Sequence, residues 1–310
     1  MRSLPVFVLT RLLSVAVVTV IVTILVWLTF HVLRPESWAY DTRPVLTQLA
    51  DYLRRVFLHW DFGESWTTGG GPVSKTINAG LPADISLLAG GMVVGGLAGA
   101  TGGAYCAARP GSVLTRALQT LSGFFIIAPV YWVGLMVILV FHEDFGPIPI
   151  PGFTTNIYEH IQDDPASWLR SLIVPWFVLG APLAALTMRM TRAAMADVRH
   201  EDFLRTAEAK GLSEAAVLRR HALPAASSPV LTVVGVNTAT LLTNVVLVEH
   251  AFSVPGVFRL TTDAMNDGNF PLLQGMTVVA AAMVVSVNLL VDVLHAAIDP
   301  RVRVGRYRRI

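Results

Sequence analysis

Six long stretches with almost no charge divide this sequence, at about 7–32, 84–106, 115–141, 169–190, 228–249 and 273–298. A helix needs roughly 20 apolar residues to cross a hydrocarbon core of about 30 Å. Inside lipid every backbone N–H and C=O must be satisfied within the chain, which leaves helices or closed barrels. Runs of this length specify helices. The expected fold is therefore an all-α membrane protein with six transmembrane helices. Composition agrees: 14% of the residues are charged, where a soluble protein carries about 25%. The first run is too long for the apolar core of a cleaved signal peptide and lacks a small-residue cleavage site, so it is expected to remain as a span.

The second run contains LLAGGMVVGGLAGATGGAYCA, rich in glycine. Small residues let helices in a membrane approach closely, so this span is expected to lie against its neighbours. Orientation follows from Lys and Arg, which favour the cytoplasmic side. With the N-terminus inside, sixteen of these cations fall on inner segments and seven on outer ones. Residues 142–168 carry Glu143, Asp144, Glu159, Asp163 and Asp164 without a single Lys or Arg, as an outer loop should. Both termini are then cytoplasmic. The single cysteine, Cys106, forms no internal disulfide, and no Cys/His cluster suggests a metal.

Residues 201–224, EDFLRTAEAKGLSEAAVLRRHALP, are charged and helix-prone between two apolar runs, on the inner side. Gly211 suits a left-handed cap at the end of a first helix. Ser213 can cap a second, with Glu214 in its favoured first turn. Pro224 comes where that helix must bend or stop. A solvated connector would need few charges and no fixed turn. A helix lying on lipid would need a broader apolar face than Phe203, Leu204, Ala207 and Leu218 provide. A firm, charged knob suits docking into another protein.

The spacing Gly211, nine residues, His221-Ala222-Leu223-Pro224 resembles the cytoplasmic EAA loop of ABC-importer permeases. Arg205-Thr206-Ala207 takes the E-A-A place and His221 the place of an isoleucine. With Lys210-Gly211-Leu212 the loop is similar to the peptide-importer branch, from which it departs at Glu208 and at Pro224-Ala225-Ala226. YLRRVFLHWDFGESW (52–66), APVYWVGLMVILVF (128–141), VEHAFSVPGVFRL (248–260) and NLLVDVLHAAIDPRVRVG (288–305) resemble other segments of that branch, in the same order. Phe258 stands where a glycine is usual, and RPESWAY replaces the usual PGDP after the first span. The family is that of dipeptide/oligopeptide permeases of binding-protein-dependent ABC importers, the first subunit of the pair.

That resemblance implies a type I importer permease fold with cytoplasmic coupling helices. It implies a second homologous permease, two cytoplasmic ABC ATPase subunits that bind ATP and Mg, an external solute-binding protein, and a di- or oligopeptide substrate. Haem and nickel permeases share these motifs. No cofactor is expected in this chain, and no nucleic acid. The ATPase-coupling residues would be Arg205, Thr206, Ala207, Lys210, Gly211, His221, Leu223 and Pro224. Candidates for the translocation path or a gate are Glu249, Phe252, Pro255 and Asp292. The implied division is residues 1–83 as first span and external amphipathic segment, 84–300 as the type 1 transmembrane domain, and 301–310 as a basic cytoplasmic tail.

Other residues invite readings that the pattern does not support. GGGPVSKT (69–76) imitates a phosphate-binding loop, but Ser74 replaces the second glycine and the segment falls outside, away from ATP. The ATPase must be another polypeptide. No Ser-His-Asp, His-cluster or paired-carboxylate constellation marks an intramembrane enzyme. No inverted repeat marks a stand-alone secondary transporter. Asp84 and Glu249 fall at outer ends of spans, where water is expected to reach them. Asp292 and His295 share a helical face and are placed to pair. Pro129 and Pro182 are expected to kink their spans. Residues 44–63 form an amphipathic pattern that either rests on the membrane surface or meets the binding protein.

Overall fold

A computed structural model describes residues 4–33, 42–66, 70–155, 158–199 and 201–298. Their regular structure is helical: α1 Leu4–Leu33, α2 Val45–His59, α3 Val73–Ala108, α4 Val113–Ile127, α5 Val130–Phe141, α6 Pro165–Val198, α7 Asp202–Ala209, α8 Glu214–Val217, α9 Leu223–Ala225, α10 Ser227–Phe252, α11 Val257–Asn266 and α12 Phe270–Ile298. A π turn at Leu218–Ala222 joins α8 to α9. Five helices (α1, α3, α6, α10 and α12) are long and apolar enough to cross a membrane, or six spans if α4 and α5 together make one.

The third apolar run is not one straight helix. α4 and α5 meet at an angle of 116°. Pro129 has no N–H to donate and disfavours helical backbone at the residue before it. Ala128 accordingly sits at φ −66°, ψ 130°, and Pro129 is itself extended at φ −61°, ψ 129°. Helical hydrogen bonding stops at Ala128 N–H to Phe124 O, 2.8 Å, and resumes at Val133 N–H to Pro129 O, 3.0 Å. Two consecutive extended residues turn the expected kink into a corner. Pro182, by contrast, is held within α6 along with Pro175, and Pro82 lies within α3.

The chain divides into two compact units. The first comprises Met1–Ile85 and Val254–Val293. Its core joins Trp27 of α1 to Tyr52 and Val56 of α2, Ile77 of α3, Val257 of α11 and Met276 of α12. Gln48, Tyr52 and Val56, each four residues apart, are the buried stripe of α2, while Leu46 and Leu58 point outward. α1 is apolar on its exposed side as well, with Leu9, Leu13, Val17, Ile21 and Leu25 outward at every fourth position. Such a surface belongs in lipid or against another membrane helix.

The second unit comprises Ser86–Ser253 and Leu294–Ile310. Within it α6 packs against α4, α5 and α10, and against the glycine-rich half of α3. Gly95, Gly99 and Gly103 recur at every fourth position along that seam. A Cβ on them would stand 2.8 Å from Gly180 O, 2.7 Å from Ala184 O and 2.5 Å from Met188 O respectively. The obstacle at each is backbone, which cannot step aside as a side chain can. Trp176 fills the next level up, where a side chain on Gly90 would overlap its ring. Its indole N–H donates to Ser86 O at 2.8 Å. The glycines of the second span thus do what small residues do in membranes: they bring two backbones into contact.

Candidate functional site

α6 ends at Arg199, and the chain enters α7 almost at once. Glu201 N–H bonds to Val198 O at 2.9 Å and Leu204 N–H to Glu201 O at 3.1 Å. α7 is eight residues long, too short to be stable alone. Its position is fixed by packing: Leu204 and Ala207, one turn apart, are buried. They join Ala194 and Met195 of α6, Val217 of α8 and Ala222 and Ala226 beyond it, with Ala104 and Ala107 of α3 at the edge. A continuous apolar seat therefore holds the loop to the ends of α3 and α6.

The turn after α7 is chemically specified. Gly211 has φ +83°, a left-handed conformation that glycine adopts without steric penalty. Leu212 N–H reaches back to Ala207 O at 3.4 Å, the six-to-one bond of a Schellman cap. Leu212 and Ala207 both belong to the apolar seat, so the cap and the packing support each other. The next helix starts at Ser213, whose carbonyl accepts from Ala216 at 2.8 Å and Val217 at 3.0 Å. The two helices and glycine elbow read from the sequence are present.

The second helix differs from expectation at Pro224. It does not stop there. The chain widens into the π turn, in which Leu223 N–H bonds to Leu218 O, and passes through α9 into α10 by way of Ala226, whose N–H bonds to Ala222 O at 2.9 Å. A proline in an α-helix removes one donor and presses its ring on the carbonyl four residues back. A π turn loosens the winding at that place and accommodates it.

One face of the loop is polar and open. Glu201, Asp202, Phe203, Arg205, Thr206 and Lys210 are exposed. Arg205 lies 3.9 Å from Asp202, and the Thr206 hydroxyl donates to Asp202 O at 2.9 Å. Phe203 is 45% exposed and so stands on this ridge, not on an inward apolar face. Of the residues singled out from the sequence, Arg205, Thr206, Lys210, Gly211 and Pro224 are exposed, His221 and Leu223 are half-buried, and Ala207 is buried. Ala207 belongs to the seat and not to the ridge. The side chains of Glu208, Glu214 and Arg219 lie outside the described residues.

The other candidates are scattered. Glu249 and Phe252, in the last turns of α10, are buried at 0% and 5% exposure. Phe252 faces Phe153 at 6.5 Å between ring centres and closes over Gly134. Ser253 follows at φ 57°, its N–H bonded to Glu249 O. Pro255 is half-buried, in a tight turn where Gly256 N–H bonds to Val254 O at 2.9 Å.

Asp84 is also fully buried, so neither it nor Glu249 is the water-reached carboxylate their positions suggested. Hydropathy placed the start of that span near Asp84, but α3 begins at Val73, three turns earlier. Asp84 Oδ2 accepts the Val257 N–H at 2.7 Å. A carboxylate from α3 thus meets the first N–H of α11, where the helix dipole favours negative charge. Gly80, one turn before, lets the backbones approach: a Cβ there would lie 3.1 Å from Val257 N. This cap escaped the sequence reading. Its one visible signal was an acid within an apolar context.

Asp292 pairs with Arg11 of α1 at 3.3 Å; the side chain of His295, its expected partner, lies outside the described residues. Residues 34–40 and the tail 301–310 also lie outside them. Among the described residues no three or more His, Cys, Asp or Glu side chains gather as a metal site.

Comparison with known proteins gives a consistent picture. Residues 99–304 match the family model of the binding-protein-dependent transport system inner membrane component. The chain is 34% identical to a probable peptide ABC transporter permease protein of Sinorhizobium fredii, over 96% of this chain and 99% of that one. It is 35% identical to the di/tripeptide transport system permease protein DppB of Pseudomonas aeruginosa, over 84% of this chain and 82% of that one. It is also 35% identical to the oligopeptide transport system permease protein AppB of Bacillus subtilis, over 82% and 80%. With five to six candidate spans, a family model matching most of its length and a relative aligned over nearly all of it, the chain belongs to the family of inner membrane components of binding-protein-dependent transport systems.

Proposed function

We propose that this chain is one of two permease subunits of an ATP-driven importer and forms, with its homologue, a path for di- or oligopeptides delivered by an external solute-binding protein. Both termini are cytoplasmic, and the loop at about residues 199–225 docks into a partner ATPase. ATP and Mg belong to that partner. The observation that carries the reading is the loop itself. It is a polar ridge of fixed shape seated on the ends of α3 and α6 and continuous with α10. A push on the ridge is delivered to membrane-spanning helices and not absorbed by a slack connector.

Arg205, Thr206 and Lys210 supply the contact surface, and Gly211 sets the angle between the helices. Ala207 and Leu223 hold the loop to its seat, His221 sits half-buried in the π turn, and Pro224 lies at its return to α10. Closure of the nucleotide-binding partners would displace this ridge and rock the spans between inward and outward openings. The permease contributes leverage and a path, and the hydrolysis occurs elsewhere.

The test is reconstitution. The chain, its partner permease, ATPases and binding protein should together move a short peptide into proteoliposomes only with ATP. Uptake by this chain alone, driven by a proton gradient, would overturn the reading. A cysteine placed at Thr155 should react with an impermeant reagent from outside and one at Ser213 should not; the reverse labelling would sink the orientation.

A further inference from the structure

The first unit contains a cavity of about 400 Å³ that the import reading does not use. It is formed by the end of α1, α2, residues 62–66 and the start of α12. Its volume lies within the roughly 300–1,000 Å³ of small-molecule sites.

Two of its lining groups are buried polar atoms without a partner among the described residues. Tyr52 is 3% exposed and Gln274 7% exposed, and among the described residues neither the Tyr52 hydroxyl nor the Gln274 amide nitrogen has a hydrogen-bond partner. Buried polar groups are nearly always hydrogen-bonded, so each exception calls for an explanation. Two exceptions on one cavity wall share one. Burial, opposed in part by nearby Arg55, holds the Tyr52 phenol well above its ordinary titration range, so it remains an O–H donor.

Two opposite charges line the same cavity. Arg55 and Glu64 are exposed toward it, and among the described residues neither is in an ion pair, with the other or with anything else. The third component is an aromatic wall. Phe270 meets Phe30 edge-on at 6.1 Å and Trp66 at 5.8 Å. The floor is fixed by Asn269, 1% exposed. Its carbonyl accepts the Trp66 N–H at 3.2 Å and its amide donates to the Ser65 hydroxyl at 2.6 Å. Residues 62–66 are thereby held in place without a ligand, which lowers the cost of receiving one.

We propose that this cavity binds a small zwitterion bearing an apolar group. Arg55, the Tyr52 hydroxyl and the Gln274 amide receive its anionic oxygens. Glu64 receives its ammonium, and the Phe30–Phe270–Trp66 wall receives the apolar group. Two sources supply that chemistry: a short peptide with free termini, or the headgroup of an ethanolamine phospholipid. Only the use of a peptide as one probe rests on the import reading; the donors, charges and wall do not.

The purified full-length chain in phosphatidylglycerol nanodiscs is titrated with a radiolabelled leucyl-phenylalanine dipeptide. In a second arm it is purified from mixed phosphatidylethanolamine and phosphatidylglycerol, and retained lipid is counted by native mass spectrometry. Saturable dipeptide binding, lost when either terminus is blocked, identifies the peptide. Selective retention of phosphatidylethanolamine identifies the headgroup. In whichever arm binds, Arg55→Gln and Glu64→Gln should each weaken binding about tenfold and Gln274→Leu several-fold. The two charged residues are exposed, so their variants test binding without threatening the fold. Binding of neither probe, or binding indifferent to Arg55→Gln and Glu64→Gln, overturns the proposal. Loss of this binding with ATP-driven peptide uptake intact in the assembled importer would defeat the pocket and leave the import reading standing. Intact binding without uptake would do the opposite.

Discussion

The seam between α3 and α6 and the loop at residues 199–226 belong to one compact unit and are built on opposite rules. Along the seam the contact is backbone on backbone, and Gly95, Gly99 and Gly103 leave no room for a side chain. In the loop a small apolar seat is covered by an open polar ridge, and a Cβ on Gly211 would meet nothing within 4 Å. At the seam, space is the constraint. At Gly211 the constraint is the backbone angle alone. The fold reads a substitution at the seam; at Gly211 and on the ridge it is a partner that reads one.

That contrast is broken most forcefully at the seam. Gly103→Leu should cost more than the roughly 1–3 kcal/mol usual for overpacking, because Met188 O and the Arg192 backbone block its path. Folded protein in the membrane should largely disappear. Gly96→Ala, on the same helix but with nothing within 4 Å, should leave abundance unchanged. Equal abundance of the two variants, measured by fluorescence-detected size exclusion, would end the distinction.

The seat of the loop comes next. Leu204→Ala removes a buried anchor at a cost of about 2–5 kcal/mol. That loss falls on a local unit, so limited proteolysis should cut between 199 and 226 while the spans stay protected. Cleavage elsewhere first would show that the seat is not local. Gly211→Val should act more finely. A side chain at φ +83° costs roughly 1 kcal/mol or more, and a β-branched one most. Abundance should be near normal, while a docking error worth about 1.4 kcal/mol would weaken ATPase retention in a pull-down about tenfold. Normal retention and uptake would make the loop a plain connector.

The smallest effect is expected at the start of α6, where Asp164 caps the helix. Its carboxylate accepts the Ser167 hydroxyl at 2.6 Å and the Ala166 N–H at 2.9 Å. The Ser167 hydroxyl first, then the backbone N–H groups of Ala166 and Ser167, hold its pKa below the usual carboxylate value. A depressed value means stability present above the unfolded pKa and lost as pH falls through the folded one. Asp164→Asn should therefore lower the thermal midpoint slightly at neutral pH, and the difference from wild type should shrink in acid. A difference that grows with acidity would contradict the cap.

What was legible in the sequence was whatever depends on local chemistry. Glycine at position 211 demanded a left-handed turn, and glycine every fourth residue in an apolar run demanded a close neighbour; both are present. What was not legible depends on which helix lies beside which. Asp84 looked like an interfacial acid because hydropathy sees where charge stops, not where hydrogen bonding starts. Nothing in its surroundings names Val257 as a partner 173 residues away. Helical spacing could offer Asp292 a neighbour on its own helix, but not Arg11 of the first helix, with which it pairs. Pro129 announced a kink, but its size followed from Ala128 also leaving the helix. Gln274 sits at the start of an apolar run, and only the fold places it on a cavity wall with Tyr52.

The π turn at Leu218–Ala222 also fixes a phase. Each residue of an α-helix advances the helical face by about 100°, and a π turn accommodates one residue more than the α-helical winding would. Because the wider turn fits its extra residue into about the rotation that ordinary winding would give without it, deleting one residue from 218–222 would leave the ridge facing the same way relative to α10 and would return Pro224 to an ordinary helix, where its ring presses on the carbonyl four residues back. The surplus residue is thus slack taken up inside the loop: it relieves the proline while the ridge keeps its bearing.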